Sequence, residues 1–317
     1  MTKGPSNRQK ASKVNQDLPR RLYKRHWWKI CRNLLVILII FYGGCMFFEN
    51  HFIYFPSKFP EGNWQPWHTH HDGLPIQPRV EDIFLTTSNG VRIHGWFCQP
   101  WDHRNQTPID SRAVVLWSHG NAGNITHRFE MILELVRIPA SVFIFDYRGY
   151  GRSEGKPSEA GIYHDALTAW NFLVRDRDID PARIVLLGRS LGGAVSIELA
   201  SHDEITPAGM IIESSFTSIP DIATEMIPIV PRFLIHTQMN SIDKIGGLKA
   251  PKLFVHSKDD DLIPYHHGQR LFTASPEPKQ FYTIHGAGHN DTQWVGGQPY
   301  LHTIRQFIHR CIPPNKP

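Results

Sequence analysis

The pattern of hydrophobic and polar positions divides this chain into three parts. Residues 1–26 are polar and basic and show no periodicity. An apolar, aromatic-rich run then extends from Leu34 to Tyr54, and no charged residue interrupts it before Glu49. A membrane-spanning helix needs about 17–25 mostly apolar residues, so the run predicts one transmembrane helix over residues 34–54. Beyond residue 78, short apolar runs alternate with amphipathic stretches.

The alternating region predicts a mostly parallel sheet covered by helices. Eight short runs predict strands: Val80–Thr86, Val91–Phe97, Ala113–Trp117, Val142–Phe145, Ile184–Leu187, Met210–Ile212, Leu253–Val255 and Gln280–Ile284. Amphipathic stretches between them predict helices: Arg128–Arg137, Ala160–Arg175, Leu191–Ser201, Gly268–Thr273 and Tyr300–Cys311. Strand alternating with helix is typical of parallel sheets, whose active sites lie at the carboxyl ends of the strands.

Three other interpretations of the apolar run stay open. A cleaved signal peptide would need a small-x-small cleavage site after the run, and the sequence offers none. A bacterial lipoprotein signal would end at Cys45 after two glycines, but Tyr42 stands where an aliphatic residue is expected. The third alternative is a buried helix of a soluble domain. We expect an uncleaved signal anchor, because the run is long enough and its basic flank is extensive.

Charge predicts the orientation of this anchor. The net charge is +5, yet Lys and Arg crowd the N-terminal flank of the run, whereas only Lys58 lies close on the other side. Because positive residues stay in the cytoplasm, residues 1–33 are predicted to be a basic cytoplasmic arm. Residues 55–78, rich in Pro, Trp and His, are predicted to be a linker, and residues 79–317 the main domain, on the non-cytoplasmic side. The excess of basic residues lies in the arm, and the rest of the chain is close to neutral, so no nucleic acid partner is expected.

Cysteine and histidine spacing predicts neither a disulfide framework nor a metal site. No cysteine pair has a metal-type spacing. Cys98 and Cys311 are predicted to be buried free thiols, with a single bridge between them as the alternative. Three histidines of the predicted linker are interpreted as solvated: His68, His70 and His71. We expect no metal and no cofactor.

The strongest chemical signal is the segment Gly188-Arg-Ser-Leu-Gly192 (G-x-S-x-G), between a predicted strand and a predicted helix. A sharp strand-to-helix turn needs both glycines, because neighbouring backbone segments approach closely there. It exposes Ser190 near the positive end of the following helix. Ser190 is therefore predicted to be a nucleophile, and the alternative is a glycine-rich turn with a solvated serine.

The last two predicted strands are followed by polar side chains that could activate Ser190. Three aspartates come after the first of these strands and two histidines after the second: Asp259, Asp260, Asp261, His285 and His289. A serine hydroxyl needs a base, which a third group orients. His289 lies in a glycine-rich loop that can bring its ring over the sheet, whereas His285 directly continues the strand. His289 is therefore the predicted base.

Two further glycine-rich segments follow predicted strands. In the first, residues 117–124, the N–H of Asn121 is a candidate oxyanion donor beside the N–H of Leu191. The alternative for that segment is a plain turn. The second, residues 146–155, offers Asp146 and Arg148, for which we expect structural pairing rather than substrate binding.

Taken together, these segments resemble the α/β-hydrolase family, and within it a membrane-anchored branch of bud-emergence and serine-aminopeptidase-like hydrolases. The matching strings are LTTSNGVRIHGW, HGNAGN, DYRGYGRSEG, GRSLGGA, SIDKIGGLKAPKLFVHSKDDDLIP and GAGHND. The resemblance implies an α/β-hydrolase fold with a mostly parallel eight-stranded sheet. The family's D-x-x-[IV]-P pattern implies Asp260 as the acid, and its G-x-G-H-N pattern falls on His289. One departure is Ser257, which stands where many members have glycine.

The resemblance also implies a reaction, the hydrolysis of a carboxylic ester or thioester through an acyl-enzyme. Lipid-like esters and acyl-proteins are the expected substrates. A peptidase that removes N-terminal residues is an alternative and would need a carboxylate, such as Glu213 or Asp146, for the free amine. A catalytically inactive anchored scaffold is the other alternative.

The segment 214–250 lies where this fold usually inserts a lid. It is short and contains Pro220, Pro228 and Pro231, so no large lid is expected. Its apolar residues are interpreted either as a cover for the sheet or as a lip that takes an acyl chain: Ile219, Met226, Ile227, Ile229, Val230, Phe233, Leu234 and Ile235.

Overall fold

The computed structural model describes residues 27–37, 39, 42–44, 49–68, 73–138 and 140–312. The chain divides into two compact units, Met1–Glu49 and Asn50–Pro317. The predicted basic arm up to residue 26 lies outside the described residues, as do His70 and His71.

The described part of the first unit is an apolar helix, α1, over Trp27–Gly44. Its 18 residues have a mean hydropathy of 1.3, and it is long and apolar enough to cross a membrane. Helix α1 begins at Trp27, inside the stretch predicted as part of the arm.

The predicted anchor extends too far toward the C-terminus. Residues from Asn50 onward belong to the second unit. The sequence places Tyr54 at a membrane interface, whereas its side chain is 3% exposed and lies in the protein core with Tyr147 and Tyr150. A large aromatic ring gains most by full burial, and here protein side chains provide it.

The second unit is built on one sheet, and the eight predicted strands are all present. The chain forms the following strands: β1 (Phe55–Pro56), β2 (Ile76–Thr86), β3 (Arg92–Asp102), β4 (Thr107–Pro108), β5 (Ala113–Ser118), β6 (Ala122–Gly123), β7 (Ala140–Phe145), β8 (Ile184–Arg189), β9 (Gly209–Glu213), β10 (Lys252–Ser257) and β11 (Lys279–Ile284). The sheet order is β11-β10-β9-β8-β5-β7-β3-β2, with β4 paired to β3. Strands β5 and β7–β11 are parallel, while β2 and β3 are antiparallel.

Helices cover the sheet, and the five predicted ones are confirmed. The helices of this unit are α2 (Phe129–Arg137), α3 (Glu159–Asn171), α4 (Leu191–Ala200), α5 (Ile219–Met226), α6 (Ser241–Ile245), α7 (Tyr265–Ala274) and α8 (Thr292–Cys311). Helices α5 and α6 were not predicted, because they span only 8 and 5 residues and show little periodicity at that length. They are the α-helices between β9 and β10, so the expectation of no large lid is confirmed.

The core has two layers, one on each face of the sheet. Val114 and Leu116 of β5 belong to one layer, and Val115 and Trp117 to the other. Successive side chains of a strand point to opposite faces. Both faces are covered, so the strands read as continuous apolar runs.

The stretch predicted as a linker is instead packed onto the domain. Strand β1 pairs in parallel with β6. Trp64 is 8% exposed and packs edge-on against Trp96, with 6.0 Å between ring centroids. Trp64 therefore buries apolar area, which a solvated linker would leave in water.

The thiols of Cys98 and Cys311 are free, as predicted, so the alternative bridge does not form. Cys98 is buried, whereas Cys311 is half-buried. Burial raises the pKa of the Cys311 thiol to about 11, which keeps it protonated at neutral pH.

Candidate active site

Ser190 occupies a strained turn between β8 and α4. Its backbone has φ 54° and ψ −120°, a conformation that costs a non-glycine residue about 1–3 kcal/mol. Its N–H donates to the Glu213 carbonyl at 2.8 Å, and its carbonyl accepts from Ser215 Oγ at 2.9 Å. These contacts hold the turn that presents the hydroxyl.

The two glycines of the G-x-S-x-G segment are required by close backbone approach. A Cβ atom at Gly192 would lie 1.8 Å from the Ser118 carbonyl oxygen, and one at Gly188 would lie 2.3 Å from the Gly192 carbonyl oxygen. Atoms cannot approach this closely, so a side chain at either position would displace the backbone. The steric interpretation of the segment is therefore confirmed.

The structure brings Ser190, His289 and Asp260 together in one hydrogen-bond chain. The Nε2 atom of His289 lies 3.0 Å from Ser190 Oγ. The other ring nitrogen, Nδ1, lies 2.9 Å from Asp260 Oδ2 and 3.1 Å from Oδ1. His285, the alternative base, is exposed at the end of β11 and takes no part in this chain.

The three adjacent aspartates all contact the loop that carries His289. Asp260 contacts the ring, whereas Asp259 accepts the Gly286 N–H at 2.7 Å and Asp261 accepts the His289 N–H at 2.8 Å. Ser257, the departure from the family pattern, donates to the Ala287 carbonyl at 2.6 Å. The departure therefore adds a contact that fixes this loop.

The Asp260 carboxylate stays ionised at neutral pH. Its side chain is fully enclosed, and burial alone would raise its pKa. Hydrogen bonds from His256 and His289 outweigh burial and hold the pKa of Asp260 well below its usual value. The Asp260 carboxylate can therefore orient the His289 ring and stabilise its protonated form.

Of the two predicted oxyanion donors, Leu191 directly follows Ser190 in the chain, and Asn121 lies in a loop that approaches Ser190. Leu191 begins α4, and the first N–H groups of a helix have no partner within the helix. The loop 119–124 approaches from the end of β5, where a Cβ atom at Gly120 would lie 3.7 Å from Ser190 Cβ. The Asn121 carbonyl accepts from Phe55 N–H at 3.0 Å and from Tyr150 Oη at 2.7 Å. These contacts fix the peptide that follows the Asn121 N–H.

Residues 53–59, here called the N-terminal strap, hold the loop 119–124 in place. The Ile53 carbonyl accepts from the Asn121 side-chain amide at 3.1 Å. The Ser57 N–H donates to the Gly123 carbonyl at 3.0 Å, and the Ser57 carbonyl accepts from Asn124 Nδ2 at 3.2 Å. Sequence reasoning missed the strap, in which only Tyr54 among the aromatic residues is buried.

Asp146 and Arg148 have structural partners, as predicted. Arg148 pairs with the buried Asp165, with 2.7 Å between Nη2 and Oδ1. Asp146 is fully buried and accepts the Ile125 N–H at 3.0 Å. Its carboxylate lies 3.7 Å from His119 Nε2. Burial lowers the pKa of His119 to about 3, so its ring is neutral.

A second group that sequence reasoning missed lies under the His289 loop. Arg189, next to the nucleophile, donates through Nη2 to the His289 carbonyl at 2.5 Å. Its Nε lies 3.4 Å from the buried Glu213 carboxylate, which also accepts from Thr292 Oγ1 and Tyr300 Oη at 2.6 and 2.7 Å. Arg189 occupies one of the two variable positions of the G-x-S-x-G pattern. The pattern therefore gives no signal of this role.

Comparisons with known proteins agree with this architecture. The family described as "Serine aminopeptidase, S33" matches residues 109–244. An uncharacterised protein of Mycobacterium tuberculosis is 35% identical over 287 residues, which cover 88% of this chain and 96% of that protein. The α/β-hydrolase domain-containing protein WAV2 of Arabidopsis thaliana is 35% identical over 75% of this chain and 83% of its own. An esterase structure from Pyrococcus furiosus superposes with a TM-score of 0.64 at 19% identity, covering 81% of this chain and 97% of its own.

Asp259, Asp260 and Asp261 have different partners, so we expect their substitution to affect catalysis to different degrees. We expect Asp260→Asn to lower kcat by roughly 10³–10⁴-fold, because an amide places the wrong group against His289 Nδ1 and no longer stabilises a charged ring. Asp259→Asn and Asp261→Asn keep an oxygen that accepts a backbone N–H, so kcat should change far less. Steady-state hydrolysis of one activated ester by the three variants checks this. A larger loss in either control than in Asp260→Asn would reassign the acid.

Proposed function

The chain belongs to the α/β-hydrolase family, and we propose that it is a membrane-anchored serine hydrolase that cleaves carboxylic ester or thioester bonds. The observation that carries the proposal is the hydrogen-bond chain from Ser190 through His289 to Asp260. A solvated serine in a plain turn would need neither the strained backbone nor a buried imidazole beside it. A non-catalytic scaffold is therefore the weaker alternative.

The proposed reaction proceeds in two acyl-transfer steps. His289 Nε2 takes the proton of Ser190 Oγ as this oxygen attacks the substrate carbonyl, and the N–H groups of Leu191 and Asn121 bind the oxyanion. The protonated ring, stabilised by Asp260, then donates its proton to the leaving alcohol or thiol. Water attacks the acyl-enzyme with His289 again as base, which restores Ser190. These steps use no cofactor or metal.

The family description also raises an aminopeptidase as a second candidate function. Such an enzyme needs a carboxylate that binds the free amine of its substrate. The sequence offers Glu213 and Asp146, but they are 3% and 0% exposed. Glu213 is occupied by Thr292, Tyr300 and Arg189, and Asp146 lies beneath the loop 119–124. Their burial favours the esterase over the peptidase.

The nucleophile assignment is tested with an active-site probe. We expect Ser190→Ala to abolish labelling by a fluorophosphonate and to reduce ester turnover by several orders of magnitude, since the covalent step loses its oxygen. Ser196→Ala, which changes a buried serine six residues further along the chain, in α4, is the matched control and should still be labelled. Labelling that persists in Ser190→Ala would reject the proposal, and absent labelling of the wild type would favour the scaffold.

The proposed substrates are lipid-like esters or acyl-proteins, on the basis of an exposed apolar surface. Several side chains of segment 214–250 do not cover the sheet: Met226, Ile227, Ile229 and Phe233, which are 53–87% exposed. We call them the apolar lip. The segment leaves the carboxyl end of β9, the edge at which Ser190 lies. Four apolar side chains exposed on one short segment favour the binding of an apolar ligand there.

Acyl-chain preference tests this assignment. We expect kcat/KM to rise from acetyl to octanoyl and palmitoyl esters of one alcohol, because each buried methylene gains about 0.8 kcal/mol. Replacement of the two most exposed lip residues, Ile229→Ser with Phe233→Ser, should weaken the rise, whereas Leu74→Ser, an exposed apolar residue outside the lip, should not. A series that is flat or falls with chain length would reject the lipid-like substrate and leave small esters or peptides.

The proposed location is a membrane, with the N-terminus in the cytoplasm and the hydrolase unit on the opposite side. Support comes from the length of α1 and from the basic residues before it. A reporter fused after Pro317 should be active only on the non-cytoplasmic side, and cytoplasmic activity would reverse the orientation. The protein should stay with membranes in high salt, which releases proteins held by charge alone. Release by salt would reject the anchor.

A further inference from the structure

We infer that Glu225, His266 and His267 bind one divalent transition-metal ion of the zinc class. Glu225 lies in α5, after β9, and the two histidines lie in the first turn of α7, after β10. One potential ligand atom of each residue lies within 4.8 Å of those of the other two. None of the three belongs to the hydrogen-bond chain of Ser190, so the site is additional to the proposed catalytic one.

The spacing of the ligand atoms suits a tetrahedral ion. His266 Nε2 and His267 Nε2 lie 3.1 and 3.3 Å from the same carboxylate oxygen, Glu225 Oε2. Two ligands that are each about 2.0–2.2 Å from a tetrahedral zinc ion are about 3.3–3.5 Å apart. The two imidazole rings stack, with 4.6 Å between their centroids and 28° between their planes. Each ring presents its Nε2 atom to the Glu225 carboxylate.

Thr217 orients the His267 ring from the side away from Glu225. The Thr217 hydroxyl donates its proton to Asp221 Oδ2 at 2.5 Å. Its oxygen lies 2.9 Å from His267 Nδ1, and the Thr217 N–H donates to the same nitrogen at 3.3 Å. These contacts at Nδ1 turn Nε2 toward Glu225, and a contact that fixes the outer ring nitrogen is typical of metal-ligating histidines.

Burial holds the His267 ring in place beside Glu225. His267 is 0% exposed, and its Nε2 atom lies 3.3 Å from Glu225 Oε2. An ion bound between these two atoms would therefore find one of its nitrogen ligands already in position.

The ligand set selects the class of ion. Imidazole nitrogens suit zinc and its neighbours in the transition series, whereas calcium and magnesium require six or more oxygen ligands. His266 and Glu225 are 49% and 37% exposed at their side chains, so water has access to the fourth position. The ion would tie α5, which ends at the apolar lip, to α7.

The test is a comparison of zinc binding by the full chain and its variants, in detergent. Isothermal titration with zinc chloride should give one ion fewer per chain for His266→Ala and for Glu225→Gln than for the wild type. Both residues are exposed, so these changes leave the fold intact. Thr217→Val, which removes the hydroxyl behind His267, should weaken zinc binding by about 10–100-fold. Zinc should also raise the Tm of the wild type and not that of His266→Ala.

The matched control is His202→Ala, which removes a surface histidine 4.0 Å from Glu198. This variant should bind as many zinc ions as the wild type, because other histidines of the chain contribute equally to both counts. Equal zinc counts for the wild type, His266→Ala and Glu225→Gln would overturn the inference and leave a hydrogen-bonded cluster. A Tm of the wild type that is unchanged by zinc would overturn it as well.

Discussion

The site depends on the strained turn at Ser190, which neighbouring strands hold in place. The turn places a serine where φ is positive, at a cost of about 1–3 kcal/mol. Strand β9 offsets this cost through the Glu213 carbonyl, and the residues after it through Ser215 Oγ. On the other side, Gly192 lies directly against the Ser118 carbonyl at the end of β5. Three adjacent strand ends therefore meet at one serine, and the loops that leave them bring the remaining groups.

The loop that carries His289 is fixed from several directions, although loops are usually the mobile parts of a fold. Ser257 contacts Ala287, Asp259 contacts Gly286 and Asp261 contacts the His289 N–H. Arg189 contacts the His289 carbonyl from the nucleophile side. A proton transfer over 3.0 Å tolerates little displacement of the ring. The position of the imidazole thus depends on these contacts to the loop backbone as well as on the hydrogen bond to Asp260.

Periodicity predicted the strands because both faces of the sheet are buried, and each strand reads as an apolar run. It failed for α5 and α6, whose few residues give no period to detect. The resemblance to the family's D-x-x-[IV]-P pattern implied Asp260, and the glycine-rich loop favoured His289 over His285, but nothing local could assign Asp259 and Asp261 to the His289 loop. Those contacts join residues 27 and 28 positions apart, and only the folded sheet brings them together. The role of Arg189 was equally invisible in the sequence, because its partners come from β9 and from the loop after β11.

The N-terminal strap changes where the hydrolase unit begins along the chain. Composition suggested a linker from residue 55, yet the Ile53 carbonyl and the Phe55 N–H both contact Asn121. Since Asn121 carries a proposed oxyanion donor, the catalytic unit is complete only with the strap. A hydrolase unit without residues 53–59 would lose the parallel pair of β1 with β6 and both contacts to Asn121. An oxyanion donor is most effective when it is held in place before the charge forms, so in the proposed mechanism residues 53–59 would position the Asn121 donor.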